Sequence, residues 1–433
     1  MTVCHNGAGD RAVRLMSSLA PLRRRAFRIL WIGQTVSSAG NALVQLALVF
    51  AILHVGGNAI DIGVIAAIQT VARVALILAG GVWADRLRRQ FVMLTSDLLR
   101  AATETALAVL LITGSARIWE LGAGAAIFGA ASAFFGPASA GLIPEAVPPE
   151  QLQQASSLMS LSNSFLQVGG PAAAGVLVAA FGPGIVFAFD GASFAASAVS
   201  LALLRLPPRA MPERASFRRD LAIGWHELAI RPWYWINLIA HACCNLAIPA
   251  YLVLGPVIAA QRLGGASAWG ALSASFAGGT VAGGLIGLRL KPSRPLVAAN
   301  LAGVLGALPL LALAPPLATW VIAVASVACG AGLTILNTVW YAAIQQLIPD
   351  EARSRVNSYD WLISLVAMPA GYAIAGSVAA SVGNTATLNW AAALLAIPLA
   401  VITLVPGVRN VRRTGEGKVT GPPLRAPSSA AAD

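Results

Sequence analysis

Apolar runs of about 20 residues, broken by short charged or Pro/Gly-rich stretches, follow one another along nearly the whole chain. A helix of that length crosses about 30 Å of hydrocarbon at 1.5 Å per residue. It also satisfies its own backbone hydrogen bonds, which lipid cannot do for it. The breaks define spans near 28–53, 60–83, 92–113, 118–137, 156–181 and 184–204. After a polar stretch come 233–260, 268–289, 295–315, 318–344, 356–381 and 386–406. The fifth and sixth are parted only by Gly182-Pro183-Gly184, a turn signal. The pattern predicts an all-α membrane protein with twelve transmembrane helices, eleven being the rival count.

Composition agrees: 57% of the residues are hydrophobic and 11% are charged, against about 25% charged in soluble domains. The net charge of +12 raises the question of nucleic acid, but the basic residues sit in short loops and tails between apolar runs. With both termini cytoplasmic and twelve spans, all 29 Lys and Arg residues fall on the cytoplasmic side except Arg73, Arg100, Arg117 and Arg262. An eleven-span arrangement breaks this positive-inside alternation. Met1 to Arg28 holds no short apolar core with a small-residue cleavage site, so the first span is expected to direct insertion. Cys4, Cys243, Cys244 and Cys329 have no metal-ligand spacing.

The chain repeats itself. Leu142-Ile143-Pro144-Glu145 follows the fourth span and Leu347-Ile348-Pro349-Asp350 the tenth, while Leu30-Trp31-Ile32 and Tyr234-Trp235-Ile236 keep nearly the same offset. Six spans repeated in one orientation imply two six-helix bundles related by an axis along the membrane normal, with a site near the midplane. The expected organisation is a disordered basic tail (1–25), an N-terminal bundle (26–205), a cytoplasmic linker (206–232), a C-terminal bundle (233–407) and a disordered tail (408–433). In the linker, Phe217, Leu221, Trp225 and Leu228 share one face of an amphipathic helix expected at the membrane surface.

Between spans two and three stands Gly81-Val82-Trp83-Ala84-Asp85-Arg86-Leu87-Arg88-Arg89. Gly81 permits close helix approach, Asp85 can cap or pair at a helix end, and the arginines reach carboxylates or lipid phosphates. The stretch is similar to the G-x-x-x-D-R-x-x-R/K loop of the major facilitator superfamily. That resemblance implies the major facilitator fold, with Gly81, Asp85, Arg86 and Arg89 as a gating motif and Asp97 and Arg100 within its reach. Phe27-Arg28-Ile29-Leu30-Trp31-Ile32-Gly33-Gln34, Ser96-Asp97-Leu98-Leu99-Arg100-Ala101, Phe135-Gly136-Pro137-Ala138 and Gly170-Pro171 resemble the enterobactin-exporter and macrolide-efflux-like branch. So does Leu347-Ile348-Pro349-Asp350-Glu351 with Arg353, Arg355 and Val356. The chain departs from that branch at Asn41, where a carboxylate often follows Ser-x-x-Gly, and at Ser139-Ala140, where an arginine often follows Pro-Ala.

Ionisable groups inside a membrane are costly and default to functional candidates. Arg73 and Glu104 lie deep in spans two and three, where they can pair; Asp190 lies in span six and Asp360 in span eleven. Burial raises the proton affinity of a carboxylate, which suits it to load and release a proton. Glu104 is the first proton-coupling candidate, followed by Asp190, with Arg73 and Asp360 beside them. Uncharged stripes mark a candidate substrate cavity: Gln34, Asn41 and Gln45 in span one, and Asn237, His241 and Asn245 in span seven. Asn163, Gln167 and Asn337 add to it, with interhelical hydrogen bonding as the alternative. A cavity of amides and aromatics with few charges suits an amphipathic, semi-polar solute.

The expected function is export of a drug-like or siderophore-like molecule by alternating access with proton antiport. The alternatives are lipid, lysolipid or nutrient transport on the same fold and, remotely, a non-transporting receptor or scaffold. The expected partners are a small-molecule substrate, protons and the lipid bilayer. No enzyme activity, cofactor, metal or nucleic acid is expected, and the chain is expected to act as a monomer.

Overall fold

The computed structural model describes residues 20–205, 225, 228–414 and 418–421; the side chains of 78–86, 350–355 and 357–365 fall outside that set. The architecture is helical. The first six long helices are α1 (Arg25–His54), α2 (Ala59–Arg86), α3 (Arg89–Ile112), α4 (Ile118–Ala146), α5 (Leu152–Phe181) and α6 (Pro183–Leu203). Then follow α7 (Pro232–Ile258), α8 (Ala266–Arg289), α9 (Pro295–Val304) and α10 (Leu308–Leu313), the last two joined by a 3₁₀ turn, Leu305–Ala307. The chain continues through α11 (Thr319–Leu347), α12 (Asp350–Val382), α13 (Asn384–Ile402) and the short α14 (Pro406–Arg409).

Among the described residues, ten helices are long and apolar enough to cross a membrane, α9 and α10 counting as one. Of the other expected spans, α3 carries Arg89, Asp97, Arg100 and Glu104, and α12 is described as an apolar stretch only over Val366–Val382. Helix ends follow the sequence punctuation. Gly182, at φ +78°, closes α5 in the left-handed region, and Pro183 opens α6 with its φ already fixed. Gly383, at φ +88°, serves the same turn between α12 and α13.

The chain divides into two compact units: Met1–Ala51 with Val71–Pro212, and Ile52–Thr70 with Glu213–Asp433. Ile52–Thr70, expected in the N-terminal bundle, thus groups with the second unit. A Cβ at Gly376 would stand 2.5 Å from the Ala59 carbonyl oxygen, so backbones meet there without side chains between them. Most of the expected linker helix lies outside the described residues; of its apolar face, Leu228 is buried and Trp225 exposed.

In the first unit, α3 and α6 pack most extensively. One end of the unit is sealed by Phe27, Leu30, Met93, Leu142 and Leu201. There the Gln90 amide donates to the carbonyls of Leu201 and Leu204, at 2.6 and 2.8 Å, and satisfies the last turn of α6. In the second unit, α8 and α11 touch backbone to backbone: a Cβ at Gly283 would lie 2.5 Å from the Ala331 carbonyl oxygen. Small residues allow this approach where no hydrophobic force acts between helices in lipid.

The C-terminal segment differs from expectation. In place of a disordered tail from residue 408, Arg412–Arg413 and Val419–Thr420 pair as antiparallel strands β1 and β2. The Arg413 N–H donates to the Ser293 carbonyl at 2.9 Å, and the Val419 N–H donates to Gln346 Oε1 at 2.9 Å. Val408, Val411 and Val419 are buried against Trp233, Tyr234 and Trp340. Three valines spread through a polar segment give no periodic signal, yet they seal the α7–α11 end. Fully burying a valine contributes roughly 1.5–3 kcal/mol. Truncation after Asn410 is therefore expected to lower the thermal unfolding midpoint in detergent, followed by tryptophan fluorescence. An unchanged midpoint would show that the hairpin contributes nothing.

Candidate functional site

At 3.6 residues per turn, Asp97, Arg100 and Glu104 fall on one face of α3. That face packs on α6, and the three side chains meet Asp190 there, all four being 0–6% exposed. Arg100 Nη2 donates to Asp97 Oδ1, and Arg100 Nε donates to the Ser96 carbonyl at 3.4 Å. The guanidinium lies over the rings of Phe135, Phe194 and Phe128, at 4.2, 4.3 and 5.8 Å from their centroids. An aromatic cage holds a desolvated cation without neutralising it. Among the described residues, the charged side chains acting on each of the four are drawn from the other three.

Asp190 is also set against α1. Its Oδ1 accepts from Ser193 Oγ at 3.2 Å, and a Cβ at Gly40 would overlap both of those oxygens. One turn or more along the same seam, Gln34 Nε2 donates to Ser197 Oγ at 3.3 Å, and a Cβ at Gly33 would lie 2.7 Å from Ser200 Cβ. Glycine at both positions lets α1 close onto α6. Asp97 Oδ2, Glu104 Oε2 and Asp190 Oδ2 are buried with no hydrogen-bond partner, as is Asn41 Oδ1 beside Gly40. Three orphaned carboxyl oxygens in one buried seam mark a site in which Asp97 alone has a hydrogen bond from a cation.

Asp97 and Arg100, expected within reach of the loop motif, belong to this cluster because their face of α3 is turned inward. Arg73 does not pair with Glu104: it is exposed on α2, and Arg100, one turn away on Glu104's own helix, is the cation that acts there. Of the loop motif, Gly81, Asp85 and Arg86 have side chains outside the described set, as does Asp360. Arg89 is described, and its Nη1 donates to the Gly141 carbonyl at 2.7 Å and to Glu145 Oε1 at 3.1 Å. A Cβ at Gly141 would overlap the guanidinium, so the start of α3 is tied to the end of α4 through a glycine notch.

The uncharged stripes divide. Asn237 is buried, donates to the Trp233 carbonyl at 2.6 Å and accepts from Asn300 Nδ2 at 2.8 Å. It joins α7 to α9, which is the interhelical alternative rather than a cavity lining. His241 is buried edge-on to Trp340, with ring centroids 5.0 Å apart. Asn41 and Asn245 are half-buried, while Gln45, Asn163, Gln167 and Asn337 are exposed. Sequence reasoning missed Ser193, Ser197, Gly40 and the phenylalanine cage. Two of them carried a signal: Gly40 as the glycine of Ser-x-x-Gly before Asn41, and Phe135 in Phe135-Gly136-Pro137-Ala138.

Residues 30–367 match the model of the Major Facilitator Superfamily. The chain belongs to that superfamily. This major facilitator protein is 23% identical over 394 residues to macrolide efflux protein A of Streptococcus pyogenes, covering 89% of this chain and 96% of that protein. It is 24% identical over 388 residues to the multidrug efflux pump Tap of Mycolicibacterium fortuitum, covering 85% and 92%. Its fold is similar to a bacterial homologue of the iron transporter ferroportin in an inward-facing state, with TM-score 0.68, 15% identity and coverage of 87% and 99%. It is also similar to a bacterial homologue of the human lysosomal transporter Spinster, with TM-score 0.64, 16% identity and coverage of 87% and 94%. The protein is a multi-pass membrane transporter, not an enzyme.

Because the glycine notch at position 40 seats Asp190, Gly40→Ala is expected to depress transport as Asp190→Asn does. Overpacking of this kind costs about 1–3 kcal/mol. Gly169→Ala, where a new Cβ meets nothing within 4 Å, is expected to leave transport unchanged. Equal transport by the two glycine variants, at matched membrane levels, would remove Gly40 from the site.

Proposed function

We propose that this major facilitator transporter exports an amphipathic, semi-polar small molecule by alternating access, driven by proton entry through Glu104 and Asp190. The observation that carries the reading is the pair of buried carboxyls with orphaned oxygens where α3 packs on α6. A carboxyl placed in such surroundings gains or loses its proton according to what its neighbours and access to water allow. The full-length likeness to macrolide and multidrug efflux proteins supports export and an amphipathic solute. In this reading, α3 and α12 join the ten apolar candidates as spans, and the distribution of Lys and Arg supports cytoplasmic termini. The protein works as a monomer. Arg89 and Glu145, with Gly81, Asp85 and Arg86, form the gating region at the cytoplasmic end. The exposed amides Gln45, Asn163 and Gln167 of the first unit contact the solute, since an exposed amide is poorly suited to hydrocarbon.

The test is accumulation of macrolides, fluorescent amphipathic compounds and siderophores in efflux-deficient cells, with and without an uncoupler. A proton falling through one pH unit supplies about 1.4 kcal/mol, a tenfold concentration ratio. Cells with the wild-type protein are expected to hold a lower internal level of at least one compound, and the uncoupler is expected to erase the difference. Glu104→Gln and Asp190→Asn are expected to erase it as well, since neither isostere can release a proton. Unchanged accumulation across the whole panel, with the protein confirmed in the membrane, would overturn export of such compounds.

A further inference from the structure

The cluster between α3 and α6 contains one cation and three carboxyls, and it is closed. Arg100 remains protonated in any protein setting. Asp97, Glu104 and Asp190 are its charged neighbours, and among the described residues no fifth charged side chain acts on them. Among the described residues, the neighbouring elements add uncharged groups: Gln34 and Gly40 from α1, the rings of Phe128 and Phe135 from α4, and Ser193, Phe194 and Ser197 from α6. Water does not screen the group, because all four side chains are buried. An unbalanced charge in such a place costs several kcal/mol.

Arg100 spends its bond on one carboxyl alone. Asp97 accepts from Nη2, whereas Glu104 and Asp190 make no hydrogen bond to the guanidinium among the described contacts. Asp97 is therefore the ionised member, balanced by Arg100. Glu104 and Asp190 have no cation left to balance them.

We propose that Arg100 is a positioning residue that sets the proton count of the site: engaged by Asp97, it leaves Glu104 and Asp190 each holding a proton, so that the packed cluster stores two. This inference rests on the reading of Glu104 and Asp190 as the proton carriers and adds their number and what fixes it. In the balance, the neutral cluster is Arg100 cation, Asp97 anion and two neutral acids. Release of either proton to water leaves one net negative charge, which the same guanidinium can meet only by sharing itself away from Asp97. Asp97 thereby regulates the pair without carrying a proton itself.

The experiment counts protonated carboxyls by infrared difference spectroscopy in the carboxylic-acid C=O stretching region, on purified full-length protein in lipid nanodiscs at neutral pH. Glu104→Gln and Asp190→Asn are each expected to remove one protonated carboxyl. Asp97→Asn is expected to remove one as well, although Asp97 itself is ionised, because the freed guanidinium then balances Glu104 or Asp190. Arg100→Gln is expected to raise the count from two to three, and Arg100→Lys to keep it at two. A wild-type count of one, or an Asp97→Asn spectrum identical to the wild type, would overturn the proposal. Should Asp97→Asn fail to fold, judged by thermal unfolding, the Arg100→Gln and Arg100→Lys pair decides in the same way. The measurement needs no substrate and no gradient, so its failure is distinct from absence of proton-driven efflux.

Discussion

A charge inside a membrane protein must find a partner or surrender itself, and this constraint organises the first unit. Arg100 would be costly alone on an apolar helix, so the surrounding structure is arranged around it. Asp97 meets it from its own helix and three phenylalanine rings enclose it. Removing either member of such a pair is far more damaging than its net contribution suggests, because the remaining charge is left uncompensated. The packing of α3 on α6 and the glycine notch of α1 follow from the same demand, since only close helices exclude water and hold the partners in place.

The two units solve their end-capping differently despite the repeat between them. In the first, a single glutamine, Gln90, satisfies the last carbonyls of α6. In the second, the segment matches Leu142 to Leu347 and Leu30 to Tyr234 put Pro295 and Arg294 opposite Gln90, so no glutamine stands there. There the C-terminal hairpin covers the aromatic end with three valines and borrows Ser293 and Gln346 for its backbone bonds. Polar groups that sequence spacing placed along two stripes also parted company. Asn237 became a bridge between helices, and Gln34 became a donor to Ser197.

The amino-acid sequence by itself determined the helical membrane class, most helix boundaries, the repeat and the family, because each is written in local or periodic features. Apolar length specifies a span, Gly182-Pro183 specifies a turn, and Gly81 to Arg89 keeps its spacing whatever surrounds it. Glu104 and Asp190 stood out because a carboxyl in an apolar run is rare. Only the tertiary structure decided which charges meet. Arg73 and Arg100 are both arginines in apolar surroundings, and depth along a helix cannot say which one turns toward Glu104. That choice depends on helix rotation and on contacts between residues nearly a hundred positions apart, such as Arg100 with Phe194. For the same reason the valines of the C-terminal hairpin were silent in the sequence: their role is the shape they fill for a distant neighbour.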